Sequence, residues 1–227
     1  MFSRWKSSQI VFTIWAGLAL IVLLPATLLL EGSFPLFTVV WITVPLIAVW
    51  HTKDVSRIGI HSVPWRQLGQ TTAINLGGLL VIMLMVEPWS HTYQKLLALV
   101  LSSQSPDTTF AWLLRFPKIP ALGAMTLYSG SVTLFGEELF FRGWLLQLLK
   151  RRVGATWAVV LQAVLFILPN LLAASALPAL QGWLYALIYT WLAIGMLGGW
   201  AASRTGSIWP SLISATLCNL ILVSLIL

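Results

Sequence analysis

Charge is what this chain has least of. Of its 227 residues only 8% are Asp, Glu, Lys or Arg, and just six are acidic. A soluble domain carries roughly 25% charged residues, so a water-soluble globule is excluded. Cysteine is nearly absent too: Cys218 alone rules out an intrachain disulfide, and its setting in an apolar run is that of a small buried hydrophobe. Histidine is limited to His51, His61 and His91, all in connecting segments. No polar run is long enough for a separate soluble domain, and neither an internal repeat nor a low-complexity segment is present.

What the chain does have is apolar length, with 59% hydrophobic residues and a mean hydropathy of +0.91. Stretches of about 20 residues with few charges suit a membrane span. Such runs occupy 7–30, 33–50, 68–86, 119–149, 154–176, 179–202 and 206–227. The expected fold class is therefore all-α: a polytopic membrane protein of about seven transmembrane helices in a single domain over 1–227. Three helices precede residue 86, and the motif-bearing helices follow 119. Between them, polar and Pro-containing pieces of 87–118 flank a short apolar stretch, which suits a surface-lying or re-entrant segment. The first run starts behind Arg4 and Lys6 like a signal peptide, but PATLLLEGSF offers no convincing cleavage pattern, so a retained helix is expected.

A net charge of +7 would suggest nucleic acid in a soluble protein. Here the cations sort by loop instead. Arg4 and Lys6, then Lys53, Arg57 and Arg66, then Lys150, Arg151 and Arg152, then Arg204 fall at alternate ends of the runs, while Glu31, Glu87 and Asp107 fall at the others. The positive-inside rule then puts the N-terminus inside and the C-terminus outside, in a plasma, inner or thylakoid membrane. Nucleic acid is not an expected partner. Many of the thirteen tryptophans fall near run ends (Trp5, Trp50, Trp65, Trp89, Trp144, Trp209), where an interfacial aromatic belt places them.

Against this background LFGEELFFRGWLLQLL is anomalous, because ionised groups at membrane depth are costly and persist only with partners. Glu138 and Arg142 stand at i and i+4, one helical turn apart on one face, which allows an ion pair. Glu137 points elsewhere.

Glu137-Glu138-x-x-x-Arg142, LFILPN at 165–170 and TGSIWPSLISATLCN at 205–219 together resemble the three motifs of the CPBP family, membrane-embedded proteases related to the CAAX-processing endoprotease and to bacteriocin-associated proteins. The stretch SRIGIHSVPWRQLG at 56–69 resembles the segment before the family's third helix. The resemblance implies a polar intramembrane cavity lined by Glu137, Glu138, Arg142, Asn170 and Asn219. In the family the motif-one glutamate and a histidine from Phe-x-x-x-His activate a water that attacks a peptide bond. A second histidine and an asparagine polarise the carbonyl or hold a metal. Phe166 and Asn219 match their positions, but Asn170 and Ala215 stand where the two histidines would be.

That departure is chemically severe. An amide has no titratable proton and cannot act as general acid or base. Alanine supplies neither donor nor ligand, and Glu137, Asn170 and Asn219 are poor zinc ligands beside His or Cys. No metal or other cofactor is therefore expected. Two readings remain open. The first is an inactive protease homologue, a pseudoprotease that binds or scaffolds a membrane protein or membrane peptide. The second is an active intramembrane endopeptidase, CAAX-like or leader-processing, that uses Glu137. A transporter is disfavoured, since one acidic pair without paired broken helices marks no conduction path. The structural alternative is that Glu138 and Arg142 are a buried pair belonging to the fold, with Asn170 as interhelical glue.

Overall fold

A computed structural model describes residues 36–95 and 135–226, and among them every regular element is helical. The run at 7–30 and residues 96–134, which hold most of the expected surface segment and the start of the fourth run, lie outside the described residues. Helix α1 spans Leu36–Thr52, α2 Trp65–Ser90, α3 residues 135–153, α4 Ala155–Ser175, α5 Ala179–Thr205 and α6 Trp209–Ile226. Six of the expected runs are thus helices at nearly the expected positions. The chief difference is α2, which continues through Glu87 and Pro88 to Ser90 before His91 ends it in the left-handed region at φ 51°.

Two of these helices, α2 and α5, are long and apolar enough to cross a bilayer, at 26 and 27 residues, or roughly 40 Å each at 1.5 Å per residue. Large apolar side chains face outward while a charged pair is buried among the helices. Trp65 is 84% exposed, Trp50 71% and Met85 70%, whereas Glu138 and Arg142 are 1% and 0% exposed. Apolar outside and polar inside is the arrangement lipid demands.

Short-range features close one end of the bundle. Asp54 caps the 3₁₀ turn Val55–Ile58 by accepting hydrogen bonds from Ser56 N at 3.0 Å and Ser56 Oγ at 2.6 Å. Gly59 then takes φ 70°, a conformation that suits only glycine well. Its carbonyl accepts from Ile208 N at 3.0 Å. Gly143 lets the turn sit against α3, because a Cβ there would run into the Ile58 carbonyl. His61 Nε2 lies 3.3 Å from the Thr205 carbonyl, Ser207 Oγ donates to the His61 carbonyl at 3.2 Å, and Lys150 Nζ donates to the Ser203 carbonyl at 2.9 Å. The basic segments 53–66, 150–152 and 203–205 therefore meet at the same end. Elsewhere α4 packs along α5 and α6 along α2, the two most extensive pairings. Asn75 of α2 donates to Ser214 of α6 in the interior of the second pairing.

Candidate functional site

Helix α3 changes its winding where the acidic pair begins. Phe135–Glu137 is α-helical, Glu138–Leu145 is a wider π-helical stretch in which Leu146 N–H reaches the Phe141 carbonyl five residues back, and Leu146–Val153 resumes the α form. Helix α5 has a similar wide stretch over Tyr185–Leu197. Wide turns of this kind are rare and often found at functional sites, and here a side chain of the first reaches a backbone carbonyl of the second.

Arg142 holds them together. Its Nη1 lies 3.5 Å from Glu138 Oε1, its Nη2 donates to the Ile194 carbonyl of α5 at 2.8 Å, and its guanidinium carbon stacks 4.1 Å from the centre of the Phe166 ring on α4. Phe166 in turn meets Phe141 edge-on at 5.0 Å. Both members of the ion pair are buried, so the guanidinium ties three helices around a charge that it neutralises. Glycine makes room for this: a Cβ on Gly198 would fall 2.8 Å from Ser211 Oγ and 3.4 Å from Arg142 Nη2.

Asn170, one turn beyond Phe166 on α4, is hydrogen-bonded through both its nitrogen and its oxygen. Its Nδ2 donates to the Phe166 carbonyl at 2.9 Å and its Oδ1 accepts from Tyr185 Oη at 3.1 Å. Glu137 is half-buried, feels the charges of Arg142 and Glu138, and acts electrostatically on Tyr185. Among the described residues it makes no hydrogen bond.

Asn219 goes elsewhere. Its Oδ1 accepts from Tyr93 Oη at 3.4 Å, beside a second carboxylate that sequence reasoning assigned only to a helix end. Glu87 accepts from Tyr93 N and Gln94 N, both at 2.9 Å, and from Tyr189 Oη of α5. Gln181 Nε2 donates to the Ser90 carbonyl at 3.1 Å and completes the corner. Burial, with smaller contributions from Cys218, Tyr185 and Glu87, pushes the Tyr93 phenol above its ordinary range, so that it remains a donor at neutral pH.

The structure thus brings Glu137, Glu138, Arg142 and Asn170 around α3, α4 and α5, and gives Asn219 to the Glu87 corner, with Tyr185 in electrostatic reach of Glu137 and of Tyr93. Sequence reasoning missed Tyr93, Tyr185, Tyr189 and Glu87. One signal was present: the chain has only four tyrosines, and two stand at i and i+4 in the otherwise apolar run at 179–202.

Residues 119–221, the segment that carries all of these motif positions, match a family model described as Rce1-like, type II CAAX prenyl endopeptidase. The motif-bearing segment is similar to that family. That agrees with the CPBP resemblance of Glu137-Glu138-x-x-x-Arg142 and with a polytopic, membrane-embedded architecture. No curated protein and no solved structure matches the chain.

Asn170 and the buried Ala215 are the residues that the CPBP resemblance sets at its histidine positions. His61 lies at the basic end of the bundle and His91 at the end of α2. Among the described residues no three His, Cys, Asp or Glu side chains converge, and both asparagines are already hydrogen-bonded within the protein. This donor set does not fit a metal centre.

Proposed function

We propose that this protein is a degenerate CAAX-protease-type homologue that holds or scaffolds a membrane protein or membrane peptide without cleaving it. The observation that carries the reading is Asn170: at the position of the motif-two histidine stands an amide whose donor and acceptor are both engaged, by Phe166 and Tyr185. Loss of general acid–base assistance costs about 10²–10⁴-fold in rate. With Ala215 in place of the second imidazole, a lost carbonyl donor removes on the order of 10²–10³-fold more. What persists is a polar interior braced by Arg142, suited to recognising a polar feature of a transmembrane partner. The basic end of the bundle faces the cytoplasmic or stromal side in this reading.

The competing reading, an active intramembrane endopeptidase, rests on Glu137, which is half-buried and makes no hydrogen bond among the described residues. Incubation of the purified protein with prenylated and leader peptides separates the two. We expect no cleavage. We also expect stoichiometric co-purification of a membrane partner from native membrane, and a cellular role that survives Glu137→Gln. Cleavage that disappears in Glu137→Gln restores the protease.

A further inference from the structure

Outside the motif site, the most one-sided chemistry in the molecule lies at the end where 53–66, 150–152 and 203–205 converge. Arg66, Arg151, Arg152 and Arg204 are all exposed there. Among the described residues none of the four makes an ion pair, and Asp54, which pairs with Arg57 at 3.7 Å, is the single carboxylate at this end. The opposite end, at residues 90–95 and 175–179, has Lys95 as its one described lysine or arginine. The Lys150–Ser203 hydrogen bond fastens the end of α3, which carries Arg151 and Arg152, to the end of α5, which carries Arg204. Large aromatic rings stand beside them: Trp65 is 84% and Trp157 64% exposed, and Arg204 lies 5.6 Å from the centre of the Trp200 ring.

We propose that this end holds anionic phospholipid headgroups of the adjacent leaflet, with Arg151, Arg152 and Arg204 as the principal contacts and Trp65 and Trp157 setting the depth. Guanidinium groups match phosphate oxygens in a bidentate fashion. A cluster of cations at the membrane-proximal ends of transmembrane helices attracts acidic lipid, each contributing severalfold to the affinity. The tryptophans favour a lipid over a soluble anion, because amphipathic rings seat at headgroup level; Trp65 adjoins Arg66 in the chain and Trp157 lies in the first turn of α4, just after Arg152. This inference is independent of whether the motif site cleaves, binds or is inert.

The test uses the full chain purified in mild detergent, exposed to an equimolar mixture of phosphatidylglycerol and phosphatidylcholine, with retained lipid counted by native mass spectrometry. The wild type should retain phosphatidylglycerol preferentially. Arg151→Gln with Arg152→Gln and Arg204→Gln should lower that preference by on the order of fivefold per arginine, while the three Arg→Lys changes, which keep the charge and lose the bidentate fork, should lower it less than the glutamine changes do. Equal retention of the two lipids by the wild type overturns the proposal even if the glutamine variant fails to fold. Displacement of phosphatidylglycerol by millimolar inorganic phosphate overturns the choice of a lipid, and identifies a soluble anion instead.

Discussion

Glu138 and Glu87 are carboxylates set in the helices of a membrane protein, and the fold treats them in opposite ways. Glu138 is answered by charge: a cation four residues along the same helix, fixed by a backbone carbonyl and an aromatic face from two other helices. Glu87 is answered by donors and, among the described residues, by no ion pair: two backbone N–H groups just past the end of α2 and the hydroxyl of Tyr189. The difference tracks depth. Glu138 lies in the middle of its run, where only full neutralisation offsets desolvation. Glu87 lies one turn from a helix end, where N–H groups beyond the helix are free to solvate an anion.

The largest effect should come from breaking the charged site. Arg142→Ala strands a buried carboxylate, and removing one partner of a buried pair costs about 3–5 kcal/mol. Adding Glu138→Gln should recover only part of that loss, since the bond to the Ile194 carbonyl and the stack on Phe166 stay lost. Thermal unfolding in detergent reads the cycle. A double variant no more stable than the sum of the singles shows that Glu138 and Arg142 do not stabilise one another.

Next in size is the uncharged solution. Glu87→Ala leaves two N–H groups and a phenol without their acceptor; Gln94 N is exposed and can turn to water, and the other two are only partly buried, so the total loss should be about 1–3 kcal/mol. Glu87→Gln, which keeps one carbonyl oxygen, should cost less than Glu87→Ala. In the charged site the order of tolerance reverses: Glu138→Gln should be poorly borne, because it leaves Arg142 buried and unpaired. If Glu87→Gln proves as damaging as Glu138→Gln in the same melting assay, the contrast between the two carboxylates is wrong.

How much of this was legible in advance follows from the range of the interactions. Helix positions followed from apolar run length, a local property. The Glu138–Arg142 pair was legible because its partners are four residues apart, and Phe166 was singled out by its motif. The Glu87 corner was not, because the Tyr189 hydroxyl comes from 102 residues away and the helix had been expected to end at 86. Asn219 was grouped with Glu137 through the motif resemblance, but its hydrogen bond goes to Tyr93. The change of winding in α3 and α5 has no signature in residue type, since both stretches consist of ordinary helix formers and aromatics.

The smallest effect is expected where the two regions come closest, at Tyr185. Its hydroxyl donates to Asn170 Oδ1 at 3.1 Å, and Tyr185→Phe removes that one bond while Asn170 keeps its bond to the Phe166 carbonyl. Interhelical hydrogen bonds in membrane proteins average about 0.6 kcal/mol in double-mutant cycles, so the melting shift should be barely resolvable alone. The cycle of Tyr185→Phe with Asn170→Leu should nonetheless show a coupling of about that size. The parallel cycle of Tyr189→Phe with Asn170→Leu should be additive, because Tyr189 bonds Glu87. The additive result keeps the Glu137 side and the Glu87 corner energetically separate. Equal coupling in the two cycles means that Tyr185 and Tyr189 belong to one continuous network, and the two carboxylates would then have to be treated as a single site.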